Sequence, residues 1–87
     1  MKASDWIDQV KSALNLPSDY AAAKALHITR SAVSKYRSRE STLDEDTAIS
    51  VAKVLNISPA RVVLDQVAER AKSDELRRSL YDLCILC

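Results

Sequence analysis

Residues 19–39 read DYAAAKALHITRSAVSKYRSR, and two helical patterns lie inside them with almost nothing between. Ala22, Ala23 and Leu26 recur at helical spacing on the first, and Val33 and Tyr36 on the second. Between them stand His27 and Ile28, followed by Thr29, a residue type that caps helix N-termini. So short a joint predicts two helices crossing at a steep angle. Ala23 adds no bulk where that crossing must be close, and Ile28 is placed to plug the corner.

The same punctuation recurs outward from this stretch. The chain has no glycine and two prolines, which argues against the tight hairpins of β architecture. Without glycine, a helix end must find another residue that tolerates the left-handed conformation, and Asn and His are the usual substitutes. Leu14-Asn15-Leu16, Leu26-His27-Ile28 and Leu55-Asn56-Ile57 each set such a residue between two apolar ones. Ser18, Thr29 and Ser58 follow as N-caps, with Pro59 at the first helical position, where its missing N–H costs nothing. Six helices are therefore expected, over 5–14, 19–26, 30–38, 45–55, 59–71 and 74–86. Helical spacing marks Trp6, Ile7, Val10 and Leu14 as core, then Ile49, Ala52, Val54 and Leu55, then Val63, Val67 and Ala71. The fold class is all-α, a compact five- to six-helix unit.

At 87 residues, 47% hydrophobic and 29% charged, the chain has the size of one small domain. Such a domain buries only about 60% of its unfolded surface, so a second copy would help it. No apolar run approaches the ~20 residues of a spanning helix, and the charged start is unlike a signal peptide. A cytoplasmic protein that makes no membrane contact is expected. Cys84 and Cys87 form no spaced framework, which suits a reducing compartment.

The net charge of +1 hides an uneven distribution. Lys24, Arg30, Lys35, Arg37 and Arg39 give residues 20–39 a charge of +5 with no acid, leaving −4 for the rest. Clustered charge of this kind is most often a solvated face, but here it coincides with the two crossed helices. The second of them turns Arg30, Ser31, Ser34, Lys35 and Ser38 outward. Short hydroxyls permit close approach to the floor of a duplex major groove, and Arg can pair bidentately with guanine O6 and N7. A helix-turn-helix that reads double-stranded DNA is the reading that uses all of these residues. Lys24, Thr29, Arg37, Ser38 and Arg39 flank that face and are assigned to phosphate, contacts that set register rather than sequence choice.

These residues resemble the Cro and lambda-repressor-like helix-turn-helix proteins, the XRE family of phage and bacterial regulators. Ala23 matches the family's small-residue site, Ile28 the position after the turn, Arg30-Ser31 the opening of the recognition helix, Val33 its inward face and Ser34-Lys35 its outward face. More loosely, the likeness extends over residues 5–63. It implies base contacts from Arg30, Ser31, Ser34 and Lys35, and a repressor role like that of small prophage immunity repressors, those of filamentous phage included. Four positions depart from the family pattern. His27 stands where glycine is usual, Asp19 where a phosphate-contacting glutamine is common, Arg37 where glutamate is frequent, and Arg39 where glycine often ends the helix. Asp19 is then expected to support the positive N-terminus of its helix, and Arg37 and Arg39 to replace the lost phosphate contact.

Residues 1–58 thus form the expected DNA-binding core. Residues 59–87 complete it within the same domain and offer a pairing surface. Leu76, Leu80, Leu83 and Cys84 make a stripe there, and Tyr81, Ile85 and Leu86 render the chain's end apolar all round. A homodimer through Leu76, Leu80, Tyr81, Leu83, Cys84 and Ile85 is expected, on a pseudo-palindromic operator. The alternative for that helix is closure of the monomer's own core. Enzyme chemistry is not expected. No glycine is available for a phosphate loop, one histidine cannot build a metal or catalytic cluster with this cysteine pair, and Asp44, Glu45 and Asp46 read as acids at a helix start. No catalytic residue, metal, cofactor or small-molecule ligand is assigned. The rival reading is a protein-interaction module, such as an antitoxin or antirepressor acting through the apolar last helix.

Overall fold

In the computed structural model, which describes residues 1–86, the chain is all helical among the described residues. The helices are α1 (Ala3–Ala13), α2 (Asp19–Ala25), α3 (Arg30–Arg37), α4 (Glu45–Leu55), α5 (Pro59–Arg70) and α6 (Asp74–Leu86). Each boundary falls within two residues of the one expected from sequence.

The glycine-free helix endings are built as expected. Asn15, His27 and Asn56 adopt φ of 54°, 57° and 56°, the left-handed region. At each, the next residue's N–H reaches back to a carbonyl of the helix's last turn: Leu16 to Lys11 (2.8 Å), Ile28 to Ala23 (2.9 Å) and Ile57 to Ala52 (3.0 Å). Arg39 is a fourth such residue, at φ 63°, with the Glu40 N–H donating to the Lys35 carbonyl at 2.9 Å. That position requires a conformation costly for a side chain with a Cβ, and the sequence hinted at it only through the family's glycine. The end of α5 is satisfied differently. Ala71 is extended, and the Arg77 guanidinium donates to the Ala68 and Ala71 carbonyls at 3.3 and 2.9 Å. Ser18 and Thr29 accept from the amides of Ala21 and Ala32, and Asp44 from that of Thr47. Ser58 precedes Pro59 as expected, but its side chain makes no capping bond.

The core joins Trp6, Ile7 and Val10 of α1 to Ala22, Ala23 and Leu26, Val33 and Tyr36, Leu43, Val51, Ala52 and Val62. Three expectations about it are corrected. Leu14 is exposed, because α1 stops at Ala13 and the left-handed turn at Asn15 sends Leu16 inward instead. On α4 the buried face is Thr47, Ala48, Val51 and Ala52, with Ile49, Val54 and Leu55 at its margins. On α5 it is Val62, Asp65, Gln66 and Ala68, leaving Val63 and Val67 half-buried. The polar pair on α5 is fully bonded. Trp6 Nε1 donates to Asp65 at 2.8 Å, while Gln66 accepts from the Leu43 N–H at 2.9 Å and donates to the Met1 carbonyl at 3.0 Å. The Met1 ammonium lies 2.9 Å from Asp65 and 3.2 Å from Glu69. Burial opposes its charge, but the two carboxylates outweigh that and hold its pKa above the ordinary value.

Helix α6 packs chiefly on α5, whereas α3 packs on α1 and α2. No helix among the described residues is long and apolar enough to cross a membrane.

Candidate nucleic-acid interface

The turn between α2 and α3 is held by its own backbone. His27 in the left-handed region reverses the chain, Ile28 packs against the core, and the Thr29 hydroxyl oxygen accepts from Ala32 N at 3.0 Å to start α3. Ala22 and Ala23 are buried, so the helix facing them sits close. With Val33 and Tyr36 buried, the opposite face of α3 is fixed toward solvent.

On that face Arg30, Ser31, Ser34 and Lys35 are all exposed. Helical spacing puts Arg30 and Ser34, and Ser31 and Lys35, one turn apart, so the four form one strip. Thr29, Lys24, Ser38 and Arg39 are also exposed around it. Ser38 Oγ donates to the Lys35 carbonyl at 3.1 Å, and the Thr29 oxygen serves its cap. The strip has a cleft at its base, about 310 Å³, lined by Asp19, Tyr20, Arg30, Val33, Ser34 and Arg37.

Arg37, expected at phosphate, is engaged by carboxylates of its own chain. Its Nε and Nη2 grip the two oxygens of Asp19 at 2.8 and 2.7 Å, and Nη2 also meets Asp8 at 2.6 Å. Lys11 adds a contact to Asp19 at 3.1 Å. The guanidinium thus ties α3 to α1 and α2 through three charge-assisted hydrogen bonds. Asp19 is correspondingly spent on Arg37 and Lys11, while Ser18 does the capping of α2. Hydrogen bonding to Arg37 drives the Asp19 pKa down to about 2 and also lowers that of Asp8. The same contacts raise the Arg37 pKa still further. The exposed cations of this segment are therefore Lys24, Arg30, Lys35 and Arg39.

Tyr20, in the first turn of α2, is on the cleft wall. Its ring centroid lies 4.9 Å from Arg30 Cζ and 5.4 Å from Lys24 Nζ. The Lys24 contact is one helical turn long and could be read from spacing, whereas the Arg30 contact comes from the neighbouring helix.

The expected pairing residues divide. Cys84 is buried, with Sγ 3.5 Å from the Arg61 carbonyl, and Tyr81 is half-buried, its hydroxyl donating to Glu69 at 2.8 Å. Burial, then the Glu69 carboxylate, raise the Tyr81 pKa. Both residues contact α5 within the monomer, and Leu80 is half-buried. Leu76, Leu83, Ile85 and Leu86 remain exposed. Cys87 lies outside the described residues.

A larger hollow of about 570 Å³ lies beside Arg39, Glu40, Thr42, Glu45, Glu69 and Arg70. Four of its charged groups are paired, since Arg70 binds Glu45 as well as Thr42 and the Leu43 carbonyl, and Lys2 binds Glu69. No group of three or more potential metal ligands occurs among the described residues.

A family model described as helix-turn-helix matches residues 13–62, from the end of α1 to the first turn of α5. No curated protein and no solved structure gives a significant match. The match covers more than half of the chain and contains the whole α2–α3 unit with its exposed cationic strip. This chain belongs to the helix-turn-helix family, as a Cro and lambda-repressor-like DNA-binding transcription regulator.

Proposed function

We propose that this regulator is a sequence-specific repressor of phage or prophage origin that lays α3 in the major groove and binds a pseudo-palindromic operator as a homodimer. The observation that carries the reading is the outward strip of α3. Arg30, Ser31, Ser34 and Lys35 are exposed together, with no acid among them and with hydroxyls short enough for the helix to approach base edges. Arg30 and Ser31 open the helix, where such modules meet bases. Lys24, Arg39, Thr29 and Ser38 are assigned to the flanking phosphates. Dimerisation is supported by the exposed leucines of α6. Leu76, Leu83 and Leu86 recur at helical spacing beside the strip that packs on α5, on a helix remote from α3 in the packing order. A second copy is the occupant that a two-half-site operator requires.

The experiment is footprinting on DNA adjoining the protein's own gene, followed by titration of the protected duplex. Affinity should fall with salt at a slope of about −0.9 per phosphate neutralised. Arg30→Ala should cost ~1–3 kcal/mol on that duplex and much less on random DNA. Equal losses on both would move Arg30 to the backbone, and binding indifferent to salt would favour the protein-docking reading. Sedimentation of Leu76→Glu/Leu86→Glu in the full chain should show monomers, whereas an intact dimer would place the interface elsewhere.

A further inference from the structure

Tyr20 stands in the cleft at the foot of the reading strip, and the base-contact scheme leaves it unused. It lies in the first turn of α2 with about half of its surface exposed, 51%, an unusual place for a large ring with no core to join. The Arg30 guanidinium, from the first turn of α3, sits over that ring at 4.9 Å. A cation over an aromatic face is attracted by the ring quadrupole. A guanidinium carries its donors in its own plane, so an arginine held by a ring can still present its fork to guanine O6 and N7. Asp19, the carboxylate lining the same cleft, is gripped by Arg37 and Lys11 and does not compete for Arg30. The cleft therefore offers Arg30 an aromatic rest and keeps its donors available.

We propose that Tyr20 is a positioning residue for sequence choice: its ring pre-aligns the Arg30 guanidinium for the base pair that Arg30 reads. A free arginine side chain must be ordered when it binds, and ordering it beforehand strengthens the specific complex without adding a contact to DNA. The inference rests on the reading of Arg30 as a base contact.

The test selects duplexes from a randomised pool with the full-length wild-type protein, then measures binding to the selected duplex, to its single-base variants and to a random duplex. Tyr20→Leu should weaken the selected duplex about threefold to tenfold while leaving the random duplex and the salt slope unchanged. The preference it loses should be at the base pair that Arg30→Ala relaxes. Tyr20→Phe keeps the ring and should retain wild-type preference. Combined with Arg30→Ala, Tyr20→Leu should add nothing, because the group it positions is gone. Full preference in Tyr20→Leu, equal loss on both duplexes, or an additive double variant would each overturn the proposal. If the wild type enriches no sequence, or Arg30→Ala relaxes no base pair, the base-contact reading itself fails and takes the inference with it.

Discussion

The two ends of the molecule differ in what they bury and what they expose. In the α2–α3 unit, alanines, valine and leucine are inside and hydroxyls and cations outside. In the α5–α6 unit, Asp65 and Gln66 are buried among Val62, Ala68 and Cys84, whereas Leu76, Leu83, Ile85 and Leu86 are outside. Polar groups admitted to the interior and leucines left outside each have a cost, since buried polar atoms need partners and exposed leucines order water. The first end presents the chemistry of a polyanion's partner. The second presents that of an apolar surface, and its interior is stitched by hydrogen bonds that fix the first residues of the chain, the α3–α4 connection and α5 to one another. Stability should therefore be most sensitive at the second end and DNA binding at the first.

The largest effect is expected at Gln66, which is fully buried. Its amide serves the Leu43 N–H and the Met1 carbonyl at once. Gln66→Leu keeps the volume but strands both groups, and should destabilise by ~2–4 kcal/mol in urea unfolding. A loss below ~1 kcal/mol would mean that water or a shifted backbone replaces the side chain, and the contrast between the two ends would weaken. DNA affinity measured below the unfolding transition should hardly change.

This network also shows where sequence reading stops. The helix ends were legible because, without glycine, Asn15, His27 and Asn56 stand out as residues that accept positive φ. The small-residue crossing at Ala23 and the outward strip of α3 were legible because both follow from spacing within one short stretch. The buried face of α5 was not, since apolar periodicity cannot register a core built on Asp65 and Gln66. Their burial is decided by Trp6 and Leu43, 59 and 23 positions away. The ion pairs of Arg37 are illegible for the same reason: its partners Asp19 and Asp8 lie 18 and 29 positions back, beyond the reach of spacing within one helix. The stripe of Leu76, Leu80, Leu83 and Cys84 is divided by packing on α5, which buries Cys84 and leaves Leu76 and Leu83 exposed. Arg39 carried a signal, the family's glycine at its position, but local chemistry alone does not announce a left-handed arginine.

Arg37 offers the next test, because it lies within the first end yet acts as a brace. Arg37→Ala should cost about 1 kcal/mol, reduced from the value of a buried bidentate pair because the partners are partly exposed. The salt slope of DNA binding should stay constant, whereas Lys24→Ala, at a residue assigned to phosphate, should flatten it by about 0.9. A lowered slope in Arg37→Ala would return the residue to the phosphate set. The pH dependence has a definite sign. The folded-state pKa of Asp19 is depressed from 3.8 to about 2, so its contribution is complete above the unfolded value and is lost as pH falls through that interval. The stability difference between wild type and Asp19→Asn should accordingly be present at neutral pH and vanish as pH falls from about 4 toward about 2.

The smallest expected effect separates stability from function at a single residue. Arg39 holds φ at 63°, a conformation that glycine adopts without steric penalty. Arg39→Gly should raise stability by ~0.5–1 kcal/mol, the Cβ penalty relieved less the added freedom of the unfolded chain. At Asn56, an equally left-handed helix end on the far side of α4, the same change to glycine should move stability by only a few tenths of a kcal/mol, since asparagine already tolerates that region. The two variants should part again on DNA. Arg39 is exposed beside the strip, and if it meets a phosphate its loss should flatten the salt slope by about 0.9 while the protein becomes more stable. Asn56→Gly should leave the slope unchanged. Should Arg39→Gly gain stability and keep its slope, the arginine would be a backbone cost with no return at the DNA, and the phosphate contacts at this end would fall to Lys24, Thr29 and Ser38.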